Sequence, residues 1–101
     1  PVGVVDLFDF SPADRRAEVG IVIDRLNRGK GYGREALALL CDYAEHLLDL
    51  HQLYAYVLED NAPAQRLFVS CGFKRVAVLH DWVCLDREYR AVGLYQRIFE
   101  K

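Results

Sequence analysis

The segment Arg28-Gly29-Lys30-Gly31-Tyr32-Gly33 (RGKGYG) stands between an apolar run and REALALLCDYAEHLL at 34–48. Glycine loses more backbone freedom on folding than any other residue, so glycines at every second position need a reason. The pattern changes across them. Residues 17–23 (AEVGIVI) alternate, with Ala17, Val19, Ile21 and Ile23 on one face and Glu18, Gly20 and Val22 on the other, the period of a strand. After the glycines, Leu37, Leu40, Cys41, Ala44, Leu47 and Leu48 recur at helical spacing within a helix expected over 33–50. Arg34, Glu35, Asp42 and Glu45 take the opposite face. A strand ending at Asp24, a glycine-rich loop and a helix start make an anion site. Free backbone N–H groups point outward there, the helix dipole adds positive character, and glycine lets the backbone approach phosphate oxygens. Arg25, Arg28, Lys30 and Arg34 gather at this point in a chain of net charge -2. No Lys is followed by Ser or Thr as a Walker A loop requires, and the third glycine comes one residue early for a dinucleotide fingerprint. The pattern therefore reaches a phosphate-bearing ligand, or else a turn with solvated cations.

Outward from the loop, residues 2–10 (VGVVDLFDF) read as a strand. Ser11-Pro12-Ala13-Asp14 reads as the turn joining it to 17–23 in a hairpin. Leu53-Tyr54-Ala55-Tyr56-Val57-Leu58 is a short strand whose near-continuous apolarity suits a buried parallel position. Asn61 reads as the N-cap of a second helix, with Pro63 in the first turn. Ala64, Leu67, Phe68 and Cys71 form its apolar stripe, and Gly72 its C-cap glycine. Residues 73–85 and 89–99 are two long strands around a turn near Asp86-Arg87, with Trp82, Tyr89 and Tyr95 expected as sheet packing. The order ββαβαββ predicts an α/β or α+β domain, a sheet with two helices.

With 101 residues the chain suits one domain, and 52% apolar with 28% charged residues is a globular balance. The slightly acidic charge argues against nucleic acid as a partner, and no apolar run is long enough to span a bilayer as a helix. Cys41, Cys71 and Cys84 are odd in number and lack zinc-ligand spacing, so no metal site is expected. They read as reduced core thiols of a cytosolic, cytoplasmic protein. The opening Pro1-Val2-Gly3 reads as the inside of a strand, which suggests a fragment.

The spacing Arg28-x-x-Gly31-x-Gly33 resembles the coenzyme A pyrophosphate loop of the GNAT N-acetyltransferases. Asn61-x-x-Ala64-x-x-Leu67-Phe68-x-x-x-Gly72-Phe73 resembles the family's second signature, in which Asn opens a helix and Gly-Phe closes it. Two motifs in order, with a strand between them, are hard to obtain by chance. Arg15-Arg16-Ala17-Glu18 and His80 through Tyr89-Arg90 look most like the spermidine N-acetyltransferase branch, and the branch that acetylates N-termini of ribosomal proteins is the near competitor. The resemblance covers the later two-thirds of such enzymes; their first strand, first helices and second strand have no counterpart here.

That resemblance implies a GNAT-like mixed sheet and acetyl-CoA as co-substrate. Ile21, Val22 and Ile23 would offer backbone hydrogen bonds to the pantetheine arm. Arg28, Gly29, Lys30, Gly31, Tyr32, Gly33 and Arg34 would hold the pyrophosphate, and Asn61, Ala64 and Phe68 would line the far side of the coenzyme. Acetyl transfer needs a neutral amine, and a free alkylamine has a pKa of about 10.4, so a base must take its proton. Glu18 matches a Glu of the polyamine branch and is read as that base or, equally, as a solvated strand residue. The family protonates the leaving thiolate with a Tyr on the second helix, where this chain has Phe68, which carries no such proton. Cys71, Tyr54 and Tyr56 are other groups near that position, each read more simply as packing. The implied function is N-acetylation of a primary amine, either a small amine such as a polyamine or a protein N-terminus. The alternatives are a coenzyme-binding module with little turnover and an unrelated phosphate binder. A homodimer through a sheet edge or the C-terminal strands is expected.

Overall fold

The computed structural model describes residues 3–23 and 32–100. Their order is β1 (Gly3–Ser11), β2 (Arg16–Ile23), α1 (Tyr32–Asp42) with a following π-helical turn (Tyr43–Leu47), β3 (Gln52–Leu58), α2 (Ala62–Ser70), β4 (Lys74–Leu85) and β5 (Glu88–Ile98). This is the expected ββαβαββ succession. The strands form one five-stranded mixed sheet, ordered β1-β2-β3-β5-β4. β2 and β3 are parallel, as a helical crossover between them requires, and every other pairing is antiparallel.

Both helices lie on one face of the sheet and share one core. Ala17 and Val19 of β2, Leu53, Ala55 and Val57 of β3, and Tyr95 of β5 meet Leu37, Cys41 and Ala44 from α1 and its continuation, and Phe68 from α2. The alternate positions of β2 and β3 face the other way. Tyr54 is half-buried and Tyr56 is 40% exposed, so β3 is covered on one face rather than two. Its apolar run thus overstates its burial, because two of its members are tyrosines on the open side.

The first helix departs from its expected course. Leu48 N–H bonds the carbonyl of Tyr43 at 3.1 Å, an i→i+5 link. A π turn holds more residues per revolution than 3.6, so positions beyond Tyr43 fall out of phase with the stripe before them. Leu47 is 74% exposed and Leu48 37% exposed, and Leu50 enters the core in their place.

The end of α2 shows why its sequence closes on Gly-Phe. Gly72 N–H donates to Val69 O at 3.1 Å and Phe73 N–H to Phe68 O at 3.0 Å, the paired bonds of a Schellman cap. Gly72 holds φ +88, which a residue without Cβ adopts freely. Phe73 then packs edge-on against Phe68, ring centroids 5.0 Å apart, sealing the cap with an apolar contact.

Cys84 and Tyr89 differ from the expectation. Cys84 is exposed, unlike the buried Cys41 and Cys71, because the β4–β5 hairpin runs beyond the helices that cover the core. Tyr89 is 67% exposed for the same reason. Trp82, although 55% exposed, packs on the sheet as expected, its ring stacked on Tyr56 of β3.

Candidate functional site: a fork in the sheet

β2 and β3 run side by side for three rungs, Arg16↔Gln52, Ala17↔Leu53 and Glu18↔Tyr54. Then they part. β2 continues to Ile23 on the arm of β1, and β3 continues to Leu58 on the arm of β5. Among the described residues, the inner edges of these two arms have no rung between them. The unpaired stretch of Val19–Ile23 presents backbone donors and acceptors to the gap, a suitable edge for a ligand that bonds like a strand.

Because β2 and β3 are parallel, the helices that follow them begin at the same end of the sheet, the open end of the fork. A ligand site outside the carboxyl ends of parallel strands is the general rule for such sheets. α1 begins at Tyr32, with Gly33 half-buried and Arg34 exposed. Arg28, Gly29, Lys30 and Gly31 lie outside the described residues. Ile21, Val22 and Ile23 form the last part of β2, paired through their backbones with β1.

On the other arm, Asn61 caps α2. Its Oδ1 accepts from Ala64 N–H at 3.2 Å, and its carbonyl accepts from Gln65 N–H at 3.1 Å. The connection before it is tied down from several sides. Gln65 Nε2 donates to the carbonyls of Leu58 and Glu59, Glu59 pairs with Arg75 of β4, and Asp60 pairs with Arg90 of β5 at 3.2 Å. Asn61 and Ala64 thus stand at the mouth on a braced corner. Phe68 lies deeper, 2% exposed, between Phe73 and Tyr95.

At the closed end of the fork, Glu18 and Tyr54 face each other across the last rung on the side away from the helices. Burial raises the carboxyl pKa of Glu18, and the charge of Asp9 raises it further. Asp9 comes close because β1 bulges between Phe8 and Ser11, where Asp9 adopts φ 51. The phenol of Tyr54 is raised by burial first, then by the negative charge of Glu18. Tyr56 stands edge-on to Tyr54 at 6.0 Å and stacks on Trp82 at 5.9 Å, so a continuous row runs Glu18–Tyr54–Tyr56–Trp82. As strand residues, both tyrosines read as packing in the sequence. Period-two alternation from the buried Leu53 would have put both on the face of Glu18, but the position of Trp82 depends on β4 and β5, which no local pattern specifies.

Residues 1–74 match the acetyltransferase (GNAT) domain family. The chain belongs to the GNAT acetyltransferases. It is 31% identical over 91 residues to the spermidine N(1)-acetyltransferase of Vibrio cholerae, covering 90% of this chain and 53% of that protein. With the spermidine N(1)-acetyltransferase of Escherichia coli K12 it shares 32% identity, covering 87% of this chain and 47% of the other. The solved structure of spermidine N-acetyltransferase from Vibrio cholerae in complex with CoA and spermine superposes with a TM-score of 0.91 at 29% identity, over 96% of this chain and 57% of that one. This GNAT chain spans about half the length of the curated relatives it matches.

Two features of the fork suit a ligand with an extended arm and phosphates in this GNAT chain. One is the unpaired inner edge of β2, long enough to bond an extended arm. The other is the convergence of two helix starts at the end where that arm would reach its phosphates.

Proposed function

We propose that this chain binds acetyl-CoA in the fork between β2 and β3 and transfers its acetyl group to a primary amine. The parting of the two parallel strands after Glu18 and Tyr54 is the observation that carries this reading. The coenzyme supplies an activated acetyl thioester. Backbone groups of Ile21, Val22 and Ile23 bond its arm, residues 28–34 receive its pyrophosphate, and Asn61 and Ala64 border it from the other arm. Phe68, behind them, shapes the apolar wall of this arm.

Glu18 accepts the proton of the incoming amine. Its partial burial and the neighbouring Asp9 raise its pKa, which strengthens it as a base. A backbone N–H of the free β2 edge meets the developing oxyanion. The relatives named for spermidine N-acetylation support a small polyamine as acceptor, ahead of a protein N-terminus. The chain works as a cytoplasmic enzyme and as a homodimer.

A ligand that binds only the folded state at a hundred times its Kd stabilises it by about 2.7 kcal/mol. Acetyl-CoA is expected to raise the melting temperature, and NAD is not. Release of free thiol with spermidine, a lysine derivative and an N-terminal Ala peptide then measures turnover. Coenzyme binding with no turnover for any amine would favour a binding module, the reading that Phe68 supports.

A further inference from the structure

The transfer proposed above leaves one proton without a donor. Breaking the thioester carbon–sulfur bond places an electron pair on sulfur, and Phe68 has no acidic hydrogen. Phe68 is also a core side chain, closed in by Phe73 and Tyr95. Tyr95 is 3% exposed, and β3 separates it from the fork. Tyr54 is differently placed. It stands on the last rung before the strands part, so its backbone marks the closed end of the cleft. Its ring is half-buried and braced edge-on by Tyr56, centroids 6.0 Å apart at 86°, while Tyr56 in turn lies against Trp82. Across the rung it faces Glu18.

We infer that Tyr54 is the proton donor to the leaving thiolate, a catalytic residue that serves in place of a helix tyrosine. The inference rests on the coenzyme reading above. The carbon–sulfur bond breaks with its electron pair on sulfur. The Tyr54 O–H bond breaks with its pair on oxygen, and that proton forms the new S–H bond. Tyrosinate then recovers the proton that Glu18 took from the amine, the newly acetylated nitrogen releases its remaining surplus proton to water to give the neutral amide, and both side chains return to their starting states. The order of events suits their electrostatics. Glu18 as a carboxylate opposes ionisation of Tyr54, as does Asp9, while Arg16 favours it. Once Glu18 has accepted the amine's proton, the largest of these opposing charges is gone, and Tyr54 releases its proton when the sulfur needs it.

Two readouts test this. The first is the acidity of the bound coenzyme thiol, followed by thiolate absorbance during a pH titration of the chain with CoA. A phenol donating to the thiolate makes the bound thiol more acidic, so Tyr54→Phe is expected to weaken that acidity about tenfold, the effect of one charge-assisted hydrogen bond. The second is turnover: Tyr54→Phe is expected to lower kcat by about 10²-fold or more without changing KM for acetyl-CoA. Tyr56→Phe keeps the bracing ring and is expected to leave thiol acidity unchanged. Unaltered melting temperature and CoA affinity in Tyr54→Phe exclude misfolding as the cause. If CoA binds and Tyr54→Phe has wild-type thiol acidity and kcat, or if Tyr56→Phe alone moves them, the role of Tyr54 is overturned and the coenzyme reading stands. If CoA does not bind the wild-type chain, both fall.

Discussion

Gln65 reaches back from the first turns of α2 to the strand that precedes it: its Nε2 lies 2.8 Å from the carbonyl oxygen of Glu59 and 3.1 Å from that of Leu58. One amide group therefore fixes the angle between β3 and α2, and with it the position of Asn61 at the mouth of the fork. The flanking Glu59–Arg75 and Asp60–Arg90 pairs are partly exposed and add little stability, but they hold the same corner from the neighbouring strands. Gln65→Leu removes both donors from a part-buried site. It is expected to lower stability by about 1 kcal/mol, read by urea denaturation. The loosened corner is expected to weaken acetyl-CoA binding about fivefold, read by titration calorimetry. An unchanged Kd would detach this corner from the coenzyme site.

Gly72→Ala tests the cap that ends α2. The backbone there sits at φ +88, and an added Cβ would meet Arg97 Nε at 3.3 Å. Arg97 can shift, so backbone strain dominates, and the loss is expected to be about 1–2 kcal/mol. The urea midpoint should fall with an unchanged slope. A midpoint equal to wild type would mean that the left-handed conformation is not retained.

Thiol labelling separates the cysteines. Cys84 is exposed, while Cys41 and Cys71 are buried and burial pushes the Cys41 thiol pKa up. One rapid equivalent is expected in the native chain, abolished by Cys84→Ser. The other two should react only after denaturation. Rapid reaction of all three would contradict the packing of α1 against α2.

The pH dependence of stability follows from Glu18. Its folded pKa is above the ordinary 4.5, so between those two values the folded state binds more protons than the unfolded state. Stability from this group is greatest at or below about the ordinary value and declines as pH rises through the folded pKa. Glu18→Gln is therefore expected to gain stability at pH 7 relative to pH 4, measured by thermal melts, while losing acetyl transfer. If Glu18→Gln destabilises more at pH 7 than at pH 4, the sign of the shift is wrong.

Much of this fold is legible in residue order because its signals are local. Leu37, Cys41 and Ala44 announce the buried face of α1, and Asn61 and Gly72-Phe73 bracket α2 through bonds made within a few residues. Leu47 and Leu48 continue the same spacing and mislead, because one widened turn after Asp42 rotates them outward. The candidate site is legible only in part. Glu18 shows itself through likeness to relatives, whereas Tyr54 gains its meaning from the place where β2 and β3 part. That place is set by pairings with β1 and β5, far away in sequence. The exposure of Cys84 and the stacking of Trp82 on Tyr56 likewise depend on how far the β4–β5 hairpin extends past the helices.

The most direct measurement is an amide-resolved NMR titration of the chain with acetyl-CoA, with NAD as the control. The fork account predicts saturable shifts along Val19–Ile23 and around Asn61 and Ala64, with NAD leaving them in place. Shifts absent from both arms, or reproduced by NAD, would contradict it.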